Sequence, residues 1–181
     1  ATLVSSLAGT GGSLNFGPQT VAATYTIVGT SLISGCQTTM AGSAVVSINP
    51  LPDLFAVTGG GSFCSGGTGV TVGLSGSVSG VNYQLFLGAS PVGTPVAGTG
   101  SAISFGLQTA TGTYTVVATN IANSCSNTMS GSVNVGVFAL PVAYTVTGGG
   151  NYCTGGAGVH VGLSSSNIGT MYQLKNGASN V

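Results

Sequence analysis

Acid–base, thiol and metal-binding chemistry in this 181-residue chain comes down to seven side chains: Cys36, Cys64, Cys125, Cys153, His160, Asp53 and Lys175. A catalytic centre needs a nucleophile, an orienting group and an oxyanion-stabilising site gathered in one pocket. Asp53, the only side-chain carboxylate, sits in a Pro-flanked linker, while His160, the only imidazole, falls at an outward strand position. No catalytic residue emerges from that set, and the chain is not expected to be an enzyme. The cysteines form neither CxxC nor CxxCH, which argues against zinc and haem. Calcium sites draw on several carboxylates, and this chain has one. The runs Gly59-Gly60-Gly61 and Gly148-Gly149-Gly150 lack the Gly-Lys-Ser/Thr and the following helix of a phosphate loop. They read as flexible strand connections. Neither a metal nor a cofactor is expected.

The cysteines occupy two positions, each used twice: Cys36 and Cys125, and Cys64 and Cys153, are 89 residues apart. The same shift sets Tyr25 on Tyr114, Met40 on Met129, Leu51-Pro52 on Leu140-Pro141 and the first glycine run on the second. About 44 of the 92 superimposed pairs are identical, with no insertion or deletion. A fixed period signals an array of one structural unit. Asp53, Lys175 and His160 do not recur; Val142, Phe86 and Thr71 hold their positions in the other copy. The array was built without charge, and those three residues are incidental to it.

An ordinary domain carries roughly 25% charged residues, and this chain carries 1%. No basic footprint for phosphates exists, which excludes charge-driven nucleic-acid binding, and a polybasic membrane patch is missing for the same reason. Apolar residues make up 43% of the chain, too many for a disordered segment. Gly, Ser and Thr interrupt every apolar run well short of the ~20 residues of a membrane helix. A membrane barrel would be an unbroken meander, whereas this chain has Pro-marked linkers.

Those linkers, Asn49-Pro50-Leu51-Pro52 and Ala139-Leu140-Pro141, set the boundaries, because Pro cannot continue a ladder. One complete unit is expected over 51–140. Residues 1–50 read as the C-terminal half of a preceding unit and 141–181 as the N-terminal half of a following one. Half a sandwich cannot bury its core, so neighbouring copies in a longer array are expected to complete each half. Within the complete unit, period-2 alternation predicts strands at 54–58, 70–74, 83–87, 92–97, 103–105, 114–118 and 133–137. Seven short strands joined by Gly-rich turns predict an all-β sandwich. The first copy keeps the same phase, with Leu14, Phe16, Tyr25, Ile27, Val46 and Ile48 at core positions.

Gly112-Thr113-Tyr114-Thr115-Val116 resembles the tyrosine corner of immunoglobulin-like domains. Pro linker, strand, Cys, "GTYTV", a turn holding the second Cys and a closing strand together resemble the immunoglobulin-like repeats of giant secreted Bacteroidetes surface adhesins and fibre proteins. The resemblance implies tandem immunoglobulin-like β-sandwich repeats of period 89 in an exported surface protein. The chain departs from antibody-type domains in lacking Trp and in placing Val116 where the strand F cysteine stands. Recurring cysteines in a secreted-looking chain favour disulfides. Cys64–Cys125 within the complete unit is the first candidate pair, with Cys36 and Cys153 left to partners. The alternative links adjacent units or chains, because the start of strand B and the F–G turn lie at opposite ends of such a domain.

The function expected is a structural, non-catalytic repeat of an extracellular filament or adhesin stalk, with other copies of itself as partner. Nearly absent Lys leaves strand edges unguarded against lateral pairing, and zero net charge removes repulsion. The alternative is an adhesive module that recognises glycans or another surface.

Overall fold

The computed structural model describes residues 2–177 and 179–180. Among them are seventeen strands and no helix, as expected of short β-branched and aromatic alternations broken by glycine. The first four strands are β1 (Ala23–Tyr25), β2 (Val28–Thr30), β3 (Gln37–Thr39) and β4 (Ala44–Val46). They form two small antiparallel pairs, β1 with β4 and β2 with β3.

The middle of the chain contributes β5 (Val57–Gly59), β6 (Gly61–Cys64), β7 (Val70–Leu74), β8 (Val81–Leu87) and β9 (Ser90–Ala97). After these come β10 (Ile103–Gln108), β11 (Gly112–Asn120), β12 (Ser126–Thr128) and β13 (Val133–Phe138). One sheet has the order β10-β7-β5; the other runs β6-β13-β11-β8-β9, with β12 also paired to β11. The result is an all-β, sandwich-like arrangement. Its core is Val72, Leu74, Tyr83, Leu85, Tyr114, Val116 and Val135, all essentially inaccessible to solvent. These side chains alternate along β7, β8, β11 and β13, as the period-2 pattern predicts. Burying each Val or Leu contributes roughly 1.5–3 kcal/mol.

Two strands were not legible as such, β6 and β12, and β6 changes the meaning of the first glycine run. Gly59, Gly60 and Gly61 all have positive φ, at 88°, 74° and 111°. They carry the chain from β5, in one sheet, to β6, in the other. A Cβ on Gly59 would collide with the Thr71 carbonyl, and one on Gly60 would lie 2.8 Å from Val133 Cβ. The run expected to be a flexible connection is therefore a closely packed crossover that only glycine fits.

Hydroxyls fix the corners. Tyr114 Oη donates to the Ala110 carbonyl at 2.8 Å, and Tyr83 Oη accepts from the Val78 amide at 2.9 Å. Burial pushes the Tyr114 phenol above its ordinary pKa. At the β11–β12 turn, Asn120 Oδ1 accepts from the Ala122 amide and Asn123 Oδ1 from the Cys125 amide, both at 2.9 Å. Ser124, the only non-glycine residue with positive φ among those described, closes that turn.

The last strands are β14 (Val146–Gly148), β15 (Val161–Leu163), β16 (Lys175–Asn176) and β17 (Ser179–Asn180), paired β14 with β15 and β16 with β17. No described residue before Pro52 or after Val135 is buried. Leu14, Ile27 and Ile48, expected at core positions, are exposed, while Phe16, Tyr25 and Val46 are half-buried.

Candidate functional site

The chemistry-bearing side chains do not converge. His160 is exposed, and its backbone carbonyl accepts the Gly149 amide at 2.7 Å. Asp53 is exposed in the linker and Lys175 is exposed on β16. Among the described residues, no three His, Cys, Asp or Glu side chains come together.

All four thiols are unpaired; Cys36, Cys64 and Cys153 are exposed and Cys125 is half-buried. The register separates Cys64 from Cys125. Cys64 lies opposite Phe138 on β13, beyond the level at which Gly112 of β11 faces Val135. Cys125 sits past the other end of the nine-residue β11, its carbonyl accepting the Asn120 amide. The two are thus on the order of 30 Å apart at ~3.3 Å per strand residue. A disulfide requires Cα atoms within about 7 Å. The pairing first expected, Cys64–Cys125 inside one unit, does not fit this arrangement.

What the structure does bring together is apolar. Val146, Val161, Leu163, Tyr172 and Leu174 line a shallow concave face of about 380 Å³ on the C-terminal strands. Tyr25, Ile27, Met40 and Ala44 line a second, of about 340 Å³, on the N-terminal strands. Each of these positions has a counterpart 89 residues away in the middle of the chain, and there the counterparts are buried, except Val57 and Val133, which are half-buried against the core. Tyr83 is 0% exposed and Tyr172 39%; Val116 is 0% and Ile27 46%; Leu74 is 1% and Leu163 38%.

Corner bonds persist on both open faces. Tyr25 Oη donates to the Val21 carbonyl at 3.0 Å, and Tyr172 Oη accepts from the Asn167 amide at 3.0 Å. Both faces are therefore shaped like the interior of the central sandwich while lacking its cover. One buried side-chain acceptor among the described residues, Asn167 Oδ1, has no partner, and it lies beside the C-terminal face. Of the lining residues, sequence reasoning marked Tyr25 and Ile27 as core positions. It had no means of showing that the strands hold their shape uncovered.

No protein-family model, curated protein or solved structure matches the chain. No helix among the described residues is long and apolar enough to cross a membrane.

Proposed function

We propose that the chain is a run of tandem immunoglobulin-like repeats of period 89, bounded near 51 and 140, serving as the structural, non-catalytic repeat of an extracellular surface filament or adhesin stalk. One observation carries this reading: strand pairings recur residue for residue at that spacing. Ala23↔Val46 and Tyr25↔Ala44 restate Gly112↔Val135 and Tyr114↔Val133. Val28↔Thr39 restates Val117↔Thr128, Val146↔Leu163 restates Val57↔Leu74, and Lys175↔Asn180 restates Phe86↔Pro91. Units copied in register make a regular rod. The two hydroxyl-anchored corners and the sheet-crossing glycines support the immunoglobulin-like assignment. The register sets Cys64 and Cys125 far apart, so disulfides in this reading join adjacent units or chains; Cys36, Cys64 and Cys153 are exposed and Cys125 is half-buried.

Imaging of native material tests the reading. Strands of about seven residues at ~3.3 Å each, plus a linker, give beads every 3–4 nm or so. With 1% charged residues, these filaments are expected to keep their form from pH 4 to 9 and in 1 M salt, since screening acts only on charges. Dissolution in salt, or particles without the bead spacing, would sink it. Binding of the folded chain to a glycan array would point to the adhesive reading instead.

A further inference from the structure

We infer that the central sandwich closes its own sheet edges against strand addition by another chain, using proline and a self-capped bulge in place of charge. This overturns the expectation that nearly absent Lys leaves those edges unguarded. It holds whether or not the chain belongs to a filament.

An edge strand presents unpaired amides and carbonyls to any passing strand. The two central sheets end in β5 and β10, and in β6 and β9. Of these, β5 and β6 have three and four residues and are joined by the glycine crossover. Edge strands that short offer little to pair with. The other two, β9 and β10, have eight and six residues and are the edges that need a guard.

On β9 the hydrogen-bond phase shows which nitrogens face the free side. The Gly88 amide donates to the Thr113 carbonyl of β11, so by alternation the Phe86 amide also faces β11 and the Leu87 amide faces β9. Pro91 is paired with Phe86, and its nitrogen therefore points away from β8. Further along, the Gly98 amide donates to the Val81 carbonyl, which turns the nitrogens of Pro95 and Ala97 outward. Both prolines thus stand where they cost the β8–β9 ladder nothing and remove a donor from the outer edge. Between them the register slips, and Gln84 Nε2 holds the irregular stretch by donating to the Val92 carbonyl at 3.0 Å. Such bulges twist an edge away from a flat partner.

On β10 the guard is a bulge that caps itself. The register with β7 slips between Ser104 and Leu107, and Gly106 within the slip has a φ of 78°. Its amide donates to Ser104 Oγ at 3.1 Å, while the Phe105 carbonyl accepts from Gln108 Nε2 at 2.9 Å. Side chains of the same strand therefore engage both groups. The arrangement recurs 89 residues earlier. There the Gly17 amide donates to Asn15 Oδ1 at 2.8 Å, and Gln19 Nε2 donates to the Phe16 carbonyl at 3.0 Å. Gly17 has a φ of 75°. Ser104 and Asn15 differ in chemistry, yet each offers an oxygen to the amide two residues on, so what recurs is the cap. Residues 14–19 lie in no strand, and the bulge is shaped there by its own side chains.

Sedimentation velocity on the whole chain and its variants tests the inference. Pro91→Thr/Pro95→Thr restores two outward amides at exposed positions. Ser104→Ala/Gln108→Leu uncaps β10. Each pair is expected to tighten self-association on the order of tenfold over the unsubstituted chain, the contribution of one or two net hydrogen bonds. Thioflavin T binding is expected to rise with it, as sheets grow edge to edge. Ser104→Asn keeps the cap in the form found at Asn15 and is expected to behave as the unsubstituted chain does. The thermal transition of the central sandwich is followed in every sample; where loss of the half-hidden Gln108 unfolds it, the exposed proline pair decides alone. A folded Pro91→Thr/Pro95→Thr chain that associates no more tightly than the unsubstituted one overturns the inference. So does Ser104→Asn associating as strongly as the uncapped pair, or an unsubstituted chain that itself forms ribbons binding thioflavin T.

Discussion

Tyr114 shows how much rests on a single hydroxyl. Its ring fills the centre of the core while its Oη reaches the Ala110 carbonyl. Tyr114→Phe keeps the ring and removes the bond, so it is expected to cost about 1 kcal/mol, read as a lower denaturation midpoint. The same phenol is expected to contribute to the pH dependence of stability on the alkaline side. Its pKa is raised in the folded state because burial disfavours the phenolate. Its contribution is therefore fully present below the unfolded value of about 10 and is lost as pH rises through the higher folded value. Chemical denaturation from pH 8 to 11 is expected to show stability falling only above pH 10 or so, with a shallower fall in Tyr114→Phe. An equally steep fall in the variant would assign the limit to other tyrosines. Ser124 is a smaller case at the same scale: it holds a φ of 58° where the earlier copy has Gly35 at 68°.

Among the elements, the glycine crossover between β5 and β6 is the least forgiving. Gly59 combines positive φ with a Cβ position already occupied by the Thr71 carbonyl. Gly59→Ala is expected to destabilise the central sandwich by roughly 2 kcal/mol or more, combining left-handed strain with displacement of β7. Gly80→Ala, also at positive φ but with open space around it, is expected to cost about 1 kcal/mol. Thermal unfolding of the pair separates packing from backbone strain, and equal losses would refute the packing account. These elements also show what the sequence could reveal. β7, β8, β11 and β13 were legible because they are long enough for alternation to repeat and because one face is buried. β6 and β12 were not, since three or four residues such as Ser126, Asn127 and Thr128 carry no apolar period. The crossover was misread because a glycine run signals freedom in an isolated chain, and only tertiary contacts turn it into a constraint. For the apolar faces, the repeat pointed to Tyr25 and Ile27. That the N- and C-terminal strands keep their pairing and tyrosine bonds while exposed rests on neighbouring hydrogen bonds, invisible to a count of matching positions.

At the scale of the whole molecule, the chain carries almost no charge to steer or limit its contacts. The Pro52 carbonyl accepts Asn127 Nδ2 at 3.0 Å, tying the start of the central unit to the β12 side. The pairing of β6 with β13 is parallel, from Gly61 opposite Val135 to Cys64 opposite Phe138, and so is the bridge of Ala56 with Ser130. Tension applied through the two linkers draws β6 toward its N-terminus and β13 toward its C-terminus. The hydrogen bonds between them are then loaded in shear and must fail together rather than unzip in turn. Ser65→Pro, which removes the amide that donates to the Phe138 carbonyl at 2.8 Å at the end of that ladder, is expected to lower the force at which a single unit yields under stretching far more than it lowers the equilibrium midpoint. A proportionate loss in both would show that the parallel strands bear no special load. The short strand that the glycine run makes room for is, in these terms, a clamp against tension along the chain.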